Sequence, residues 1–223
     1  MALNNNEYIE FLESSEQTII VDNNLFKITS DPLLLAAFCK ENIKKSGTLL
    51  DIGAGNGILP LLLVRNIYLT KISAVEIQKD SFDCLERNIA LNSLSDKIIP
   101  YHTDINDFFP DFEFDYIISN PPYYRKGSGA LPQNEKISIA KFEIKMTLDN
   151  LIFNIKRLLK NHGFFYIIII PGRLNDLLKA IYFHKLNISK LTTVIHGDKT
   201  KFILIEGKKG SRPGDIVVNT ISL

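Results

Sequence analysis

Four consecutive residues, Asn120-Pro121-Pro122-Tyr123, have the types and spacing to hold an amine for group transfer. An exocyclic amine on a purine, or the nitrogen of an amide, is a poor nucleophile because its lone pair is delocalised into the ring or carbonyl. The Asn120 side-chain oxygen and the Pro121 main-chain carbonyl can each accept one N–H of such a group. Two acceptors draw the nitrogen toward tetrahedral geometry and aim its lone pair at an electrophile, with no prior general base. The prolines fix the backbone that carries the carbonyl, and Tyr123 offers a ring face for stacking on a planar base. Such a segment catalyses by positioning and electrostatics. As plain backbone, the same residues would end a strand and cap a turn.

Asp51-Ile52-Gly53-Ala54-Gly55-Asn56-Gly57 forms a second constellation. Glycines where a strand gives way to a helix let the chain turn tightly and approach a ligand closely. The third glycine comes one residue earlier than in a dinucleotide fingerprint, and Asp51 precedes the first. That arrangement resembles motif I of class I methyltransferases, which bind S-adenosylmethionine. Glu76, at the end of the next predicted strand, suits hydrogen bonds from both ribose hydroxyls of such a cofactor. Asp104, just past the third predicted strand, suits the adenine amino group, although Asp107 and Asp111 follow closely and leave that choice open. The expected cofactor residues are therefore Asp51, Gly53, Gly55, Gly57, Glu76, Asp104 and Asn120. Asn120, Pro121 and Tyr123 are the expected catalytic residues, and Pro122, Tyr123, Arg125 and Lys126 are expected to meet the substrate.

These residues need a scaffold that brings strand ends together. From Thr48 onward, short apolar runs alternate with turns and amphipathic stretches, the pattern of βαβ units on a parallel sheet. Predicted strands cover Leu49 to Ile52, Ile72 to Glu76, Ile98 to His102 and Tyr116 to Ser119, with helices over Gly57 to Asn66 and Lys79 to Asn92. Leu148 to Lys160 reads as a helix and Phe164 to Ile170 as a strand buried on both faces. A further helix ends at Ala180 to His184. Ser189 to His196 and Phe202 to Glu206 form an expected antiparallel pair at the C-terminal sheet edge. Ahead of this, Thr18 to Val21 and Leu25 to Ile28 predict a hairpin around Asp22-Asn23-Asn24. Ser30-Asp31-Pro32 offers a cap acceptor and an early proline for the helix that follows. The fold class is α/β, a Rossmann-like, mostly parallel sheet in one domain over 1–223, with 1–46 as an N-terminal extension.

Bulk properties set limits. The chain has 223 residues, 45% of them hydrophobic, enough for one substantial core. Its 26 basic and 25 acidic residues nearly cancel, so any nucleic-acid binding must come from a local patch. Cys39 and Cys84 stand in no metal-ligand or CxxC spacing, which fits reduced thiols and no metal site. Without a signal-like or membrane-length apolar run, the expectation is a cytoplasmic protein with no membrane partner.

Over nearly its whole length the chain resembles the bacterial tRNA1(Val) adenine-N6 methyltransferases of the small-domain group. The likeness rests on Ser30 to Ala36, Asp51 to Gly57, Glu76, Asn120 to Tyr123 and the tail Ile205 to Gly210. It implies an S-adenosylmethionine-dependent enzyme that methylates the adenosine immediately 3′ of the anticodon, a loop base that unstacks at little cost. Arg125 and Lys126, with Lys199, Lys201, Lys208, Lys209 and Arg212, are candidates for flanking phosphates. Gly127 to Lys136 reads as a substrate loop. Where many relatives carry Arg-His-Glu, this chain has Ala140-Lys141-Phe142-Glu143. The Asn-Pro-Pro-Tyr segment is shared with DNA adenine, ribosomal RNA guanine-N2 and protein glutamine-N5 methyltransferases, so it fixes the atom type better than the substrate. Only 50 residues precede Asp51 at the start of the glycine loop, against the helical domain expected of the glutamine enzymes. A cofactor-binding RNA scaffold without turnover is the non-enzymatic alternative, which the intact tetrapeptide disfavours.

Overall fold

In the computed structural model, residues 3–23, 28–123, 146–210 and 212–223 are described. An antiparallel hairpin, β1 (Glu7–Leu12) and β2 (Gln17–Asp22), precedes helix α1 (Ser30–Asn42). Strands and helices then alternate: β3 (Gly47–Ile52), α2 (Ile58–Leu63), β4 (Leu69–Glu76), α3 (Lys79–Leu91), β5 (Ile98–His102), β6 (Phe114–Ser119), α4 (Leu148–Leu158), β7 (Leu159–Ile169) and α5 (Leu174–Phe183). The antiparallel pair β8 (Asn187–His196) and β9 (Lys199–Lys208) follows, then β10 (Val217–Ser222).

The eight-stranded sheet runs β10-β8-β9-β7-β6-β3-β4-β5. Strands β3 to β7 are mutually parallel, and β9 enters antiparallel to β7. Side chains alternate between faces. Leu49 therefore packs with α1, α2, α3 and β2, whereas Leu50 and Ile52 pack with α4 and α5. Covered on both faces, the central strands bury almost every side chain, which is why they read as continuous apolar runs. The chain passes from β3 through β4 to β5 on one side and returns to place β6 on the other. The switch point of the sheet thus lies between β3 and β6, and ligands bind beyond the strand ends at such a point.

Four local outcomes differ from the sequence reading. The described hairpin partner of Thr18 to Val21 is the upstream Glu7–Leu12, closed through Glu16 at φ 52°. Ile28 is not in a strand, and residues 24–27 lie outside the described residues. Strand β1 was hidden because Tyr8, Ile9 and Phe11 face solvent, so it lacks a buried apolar face. Helix α1 takes Thr29 as its N-cap with no side-chain capping bond, which leaves Asp31 for another role. Helix α4 stops at Leu158 and β7 begins at once, with His162 at φ 67°. Finally, the exposed strand β10 lies outside the antiparallel pair, parallel to β8. Among the described residues, no helix is long and apolar enough to cross a membrane.

Candidate active site at the sheet switch point

Strand β3 registers Asp51 against Ile118 of β6, so the glycine loop and Asn120 leave neighbouring strand ends. Gly53, Gly55 and Gly57 have φ of 77°, 59° and 88°, a region that side chains disfavour. At Gly57 a Cβ would also lie 2.5 Å from Leu85 of α3. The loop is pinned from three sides. Gly53 N and Ala54 N donate to the Val75 carbonyl, and Asn88 Nδ2 of α3 donates to the Asn56 carbonyl at 2.9 Å. Glu76 Oε2 accepts from Gly55 N at 2.8 Å.

Glu76 is 4% exposed, and its Oε1 accepts from Gln78 N at 2.7 Å. Burial pushes its carboxyl upward, opposed by the backbone N–H bonds of Gln78, Gly55 and Ile77. Three N–H donors leave the carboxylate room for a further one. Asp51 is fully buried, and neither carboxylate oxygen has a hydrogen-bond partner among the described residues. Burial, then the nearby Glu76 charge, pushes its carboxyl well above the usual range. A buried carboxylate without a donor is costly, which makes Asp51 a candidate to meet a cationic or N–H-bearing ligand.

Beside the loop, Ile52, Gly53, Val75, Ile77, Thr103, Asp104, Ile105 and Met146 line a mainly apolar pocket. Asp104 Oδ1 accepts from Asn106 N and Nδ2, capping a 3-10 turn over Ile105–Asp107, while Oδ2 has no partner among the described residues. Asp107 and Asp111 do not line this pocket and are exposed, which separates them from Asp104. An apolar slot with one carboxylate oxygen at its rim suits a heteroaromatic ring bearing an amino group.

Asn120 follows directly on β6, with Pro121 buried and Pro122 half-buried behind it. Asn120 Nδ2 donates to Asp31 Oδ2 at 2.7 Å. The Tyr123 hydroxyl lies 2.8 Å from Asp31 Oδ2 and 2.7 Å from Asn120 Oδ1, with one proton to give to either. Arg173, 7% exposed, donates through Nη1 to the Tyr123 carbonyl at 3.3 Å and through Nε to Asp176 at 2.9 Å. The segment is thus held by a helix start and by the turn after β7, and not by its prolines alone. Tyr123 also lies 6.1 Å, ring to ring, from Phe202 of β9.

The structure brings the sequence-predicted residues Asp51, Gly53, Gly55, Gly57, Glu76, Asp104, Asn120 and Tyr123 to one edge of the sheet. Sequence reasoning did not single out Asp31, which reads locally as a capping residue, or Arg173 and Asn88, whose partners at this edge are remote in sequence. Arg125, Lys126, Gly127 to Lys136 and Ala140 to Glu143 lie outside the described residues. The C-terminal basic residues divide. Because β9 runs against β7, exposed Lys199 and Lys201 lie toward the Asn120 edge, whereas Lys208 and Lys209 lie toward the opposite edge. Lys208 sits 4.9 Å over the Phe164 ring, and Lys209 bonds Glu113 and the Leu159 carbonyl. Those two serve the fold.

Comparison with known proteins bears on the same edge. Residues 27–169 match the model of the methyltransferase small domain. The chain belongs to the methyltransferase small domain family. The glycine loop of this chain and its Asn120-Pro121-Pro122-Tyr123 stretch both fall inside that match. Relatives named tRNA1(Val) (adenine(37)-N6)-methyltransferase include one from Phocaeicola vulgatus, 30% identical over 91% of this chain and 84% of the relative. Another, from Dyadobacter fermentans, is 30% identical over 68% of this chain. The aligned stretch spans only 61% of that relative's length. Two solved structures share the fold. The ribosomal protein L11 methylase from Lactobacillus delbrueckii subsp. bulgaricus has a TM-score of 0.62 at 22% identity, covering 87% of this chain and 84% of that one. A methyltransferase from Pyrococcus furiosus has a TM-score of 0.59 at 18% identity, over 81% and 83%.

Proposed function

We propose that this small-domain methyltransferase uses S-adenosylmethionine to methylate N6 of an adenine in the anticodon loop of a transfer RNA. The observation that carries the chemistry is the Asn120 amide, held by a buried carboxylate at the strand end beside the glycine loop. The substrate class is carried by the relatives' name.

When bound, S-adenosylmethionine supplies an electrophilic methyl group on a sulfonium. The residues present fit that cofactor. Asp51 has two buried oxygens without donors, matching an ammonium group. Glu76 offers remaining lone pairs to vicinal hydroxyls, and Asp104 stands at the rim of the apolar slot for a purine amine. On the substrate side, Asn120 Oδ1 and the Pro121 carbonyl each accept one N–H of the target amine. This keeps the nitrogen lone pair out of the ring and free to attack. Proton loss follows methyl transfer, so no general base has to precede it. Tyr123 stacks on the base, and Pro122 stiffens the stretch that carries the acceptors. Lys199 and Lys201, exposed toward the same edge, suit phosphates of the flanking strand.

Nucleoside mass spectrometry of transfer RNA from a strain lacking this gene tests the assignment. A single N6-methyladenosine is expected to disappear, restored by the wild-type gene. Unchanged transfer RNA with a lost methyl group in ribosomal RNA or protein would overturn the substrate.

A further inference from the structure

We propose that Asp31 is a positioning residue for methyl transfer, acting through Asn120. The inference rests on the reading of Asn120 as acceptor of the target amine.

The amide of Asn120 has two nearly isosteric ends, and only one orientation is productive. Its oxygen must face the amine, because its NH2 end would repel the N–H groups it is meant to bind. Pro121 carries no N–H, so the next residue's main chain cannot make that choice. Asp31 Oδ2 makes it. A carboxylate oxygen accepts, and at 2.7 Å from Asn120 it takes Nδ2 in preference to Oδ1. A charge-assisted bond to the NH2 end also polarises the amide and strengthens Oδ1 as an acceptor.

The placement of Asp31 suits this role. It lies in the first turn of α1, where the aligned peptide dipoles favour a negative charge. At 8% exposure it is shielded from water, which would otherwise compete for Asn120. Its carboxylate is not spent on capping, since Thr29 is the N-cap and makes no side-chain bond. Instead it gathers the NH2 end of Asn120 and the Tyr123 hydroxyl on one oxygen. Helix α1, 89 positions away in sequence, is thereby made part of the amine site.

Single-turnover rates on unmodified transfer RNA test this with the full chain and four variants: Asp31→Leu, Asp31→Asn, Asn120→Ala and the Asn120→Ala/Asp31→Leu double. Asp31→Leu is expected to slow transfer about 100-fold, the scale of a misplaced reacting group, while cofactor Kd by calorimetry stays within about threefold. Asp31→Asn keeps an oxygen for Asn120 Nδ2 and should recover at least about tenfold of that loss. The double variant should be no slower than Asn120→Ala alone, because Asp31 acts through Asn120. Full activity in Asp31→Leu, equal losses in the Leu and Asn variants, or additive losses in the double would each overturn the proposal. If thermal melting shows that Asp31→Leu fails to fold, the same cycle run with Asp31→Asn decides by the same additivity. A wild-type chain inactive on every RNA strikes instead at the proposed function. Active wild type with additive Asp31 losses strikes at Asp31 alone.

Discussion

Tyr123 has two chemical ends that compete. Its hydroxyl is bound to Asp31 and Asn120, while its ring is the surface on which a planar base would stack. Removing only the hydroxyl should leave stacking intact and free a lone pair on Asn120 Oδ1. Tyr123→Phe is therefore expected to keep kcat/KM on transfer RNA within about threefold of wild type, whereas Tyr123→Ala loses about 1–3 kcal/mol of stacking. Steady-state kinetics separate the two. A Phe variant as impaired as the Ala variant would mean that the hydroxyl itself serves transfer. Residues whose role is stated by their immediate neighbours, such as Asn120 and Gly57, were legible in the sequence. Asp31 was not, because its partner is brought to it by the fold and its local context, Ser30-Asp31-Pro32, describes a helix start equally well.

At the scale of elements, the ends of β3 and β4 put two acids into a buried place. Asp51 has no donor, and burial together with the Glu76 charge holds its carboxyl well above the usual range. The sign follows from proton counting. Between the ordinary carboxylate range and the raised folded value, the unfolded chain has lost a proton that the folded chain keeps. Stability from this group is therefore full in acid and falls as pH rises through that window. A cationic cofactor favours the charged form, so its binding should tighten as pH rises through that window. Calorimetric titration with S-adenosylmethionine across a pH series is expected to show that rise in affinity. An affinity independent of pH would contradict the Asp51 assignment. The alternating strands and helices from β3 to β7 were legible because burial on both faces leaves long apolar runs. Strands β1 and β10 escaped for the opposite reason: most of their side chains face solvent, so no apolar pattern marks them.

For the molecule as a whole, a near-neutral charge means that the proposed RNA contacts must come from local groups, and Tyr123, Lys199 and Lys201 lie toward the same side of the sheet. The sheet separates the two tasks of the site. Ends of β3, β4 and β5 carry the groups suited to the cofactor, and the end of β6, braced by α1 and the turn after β7, carries those suited to the amine. The proposed methyl transfer at the switch point requires both sets together, with Asn120 as the group on which they would converge. The most direct test incubates purified chain, S-adenosylmethionine labelled in its methyl group and unmodified transfer RNA, then identifies the labelled nucleoside by mass spectrometry. Labelled N6-methyladenosine is expected with wild type and its formation slowed by a few kcal/mol of transition-state stabilisation, of order 100-fold or more, in Asn120→Ala, with cofactor binding retained. Label on another nucleoside, or equal rates for wild type and Asn120→Ala, would contradict the account.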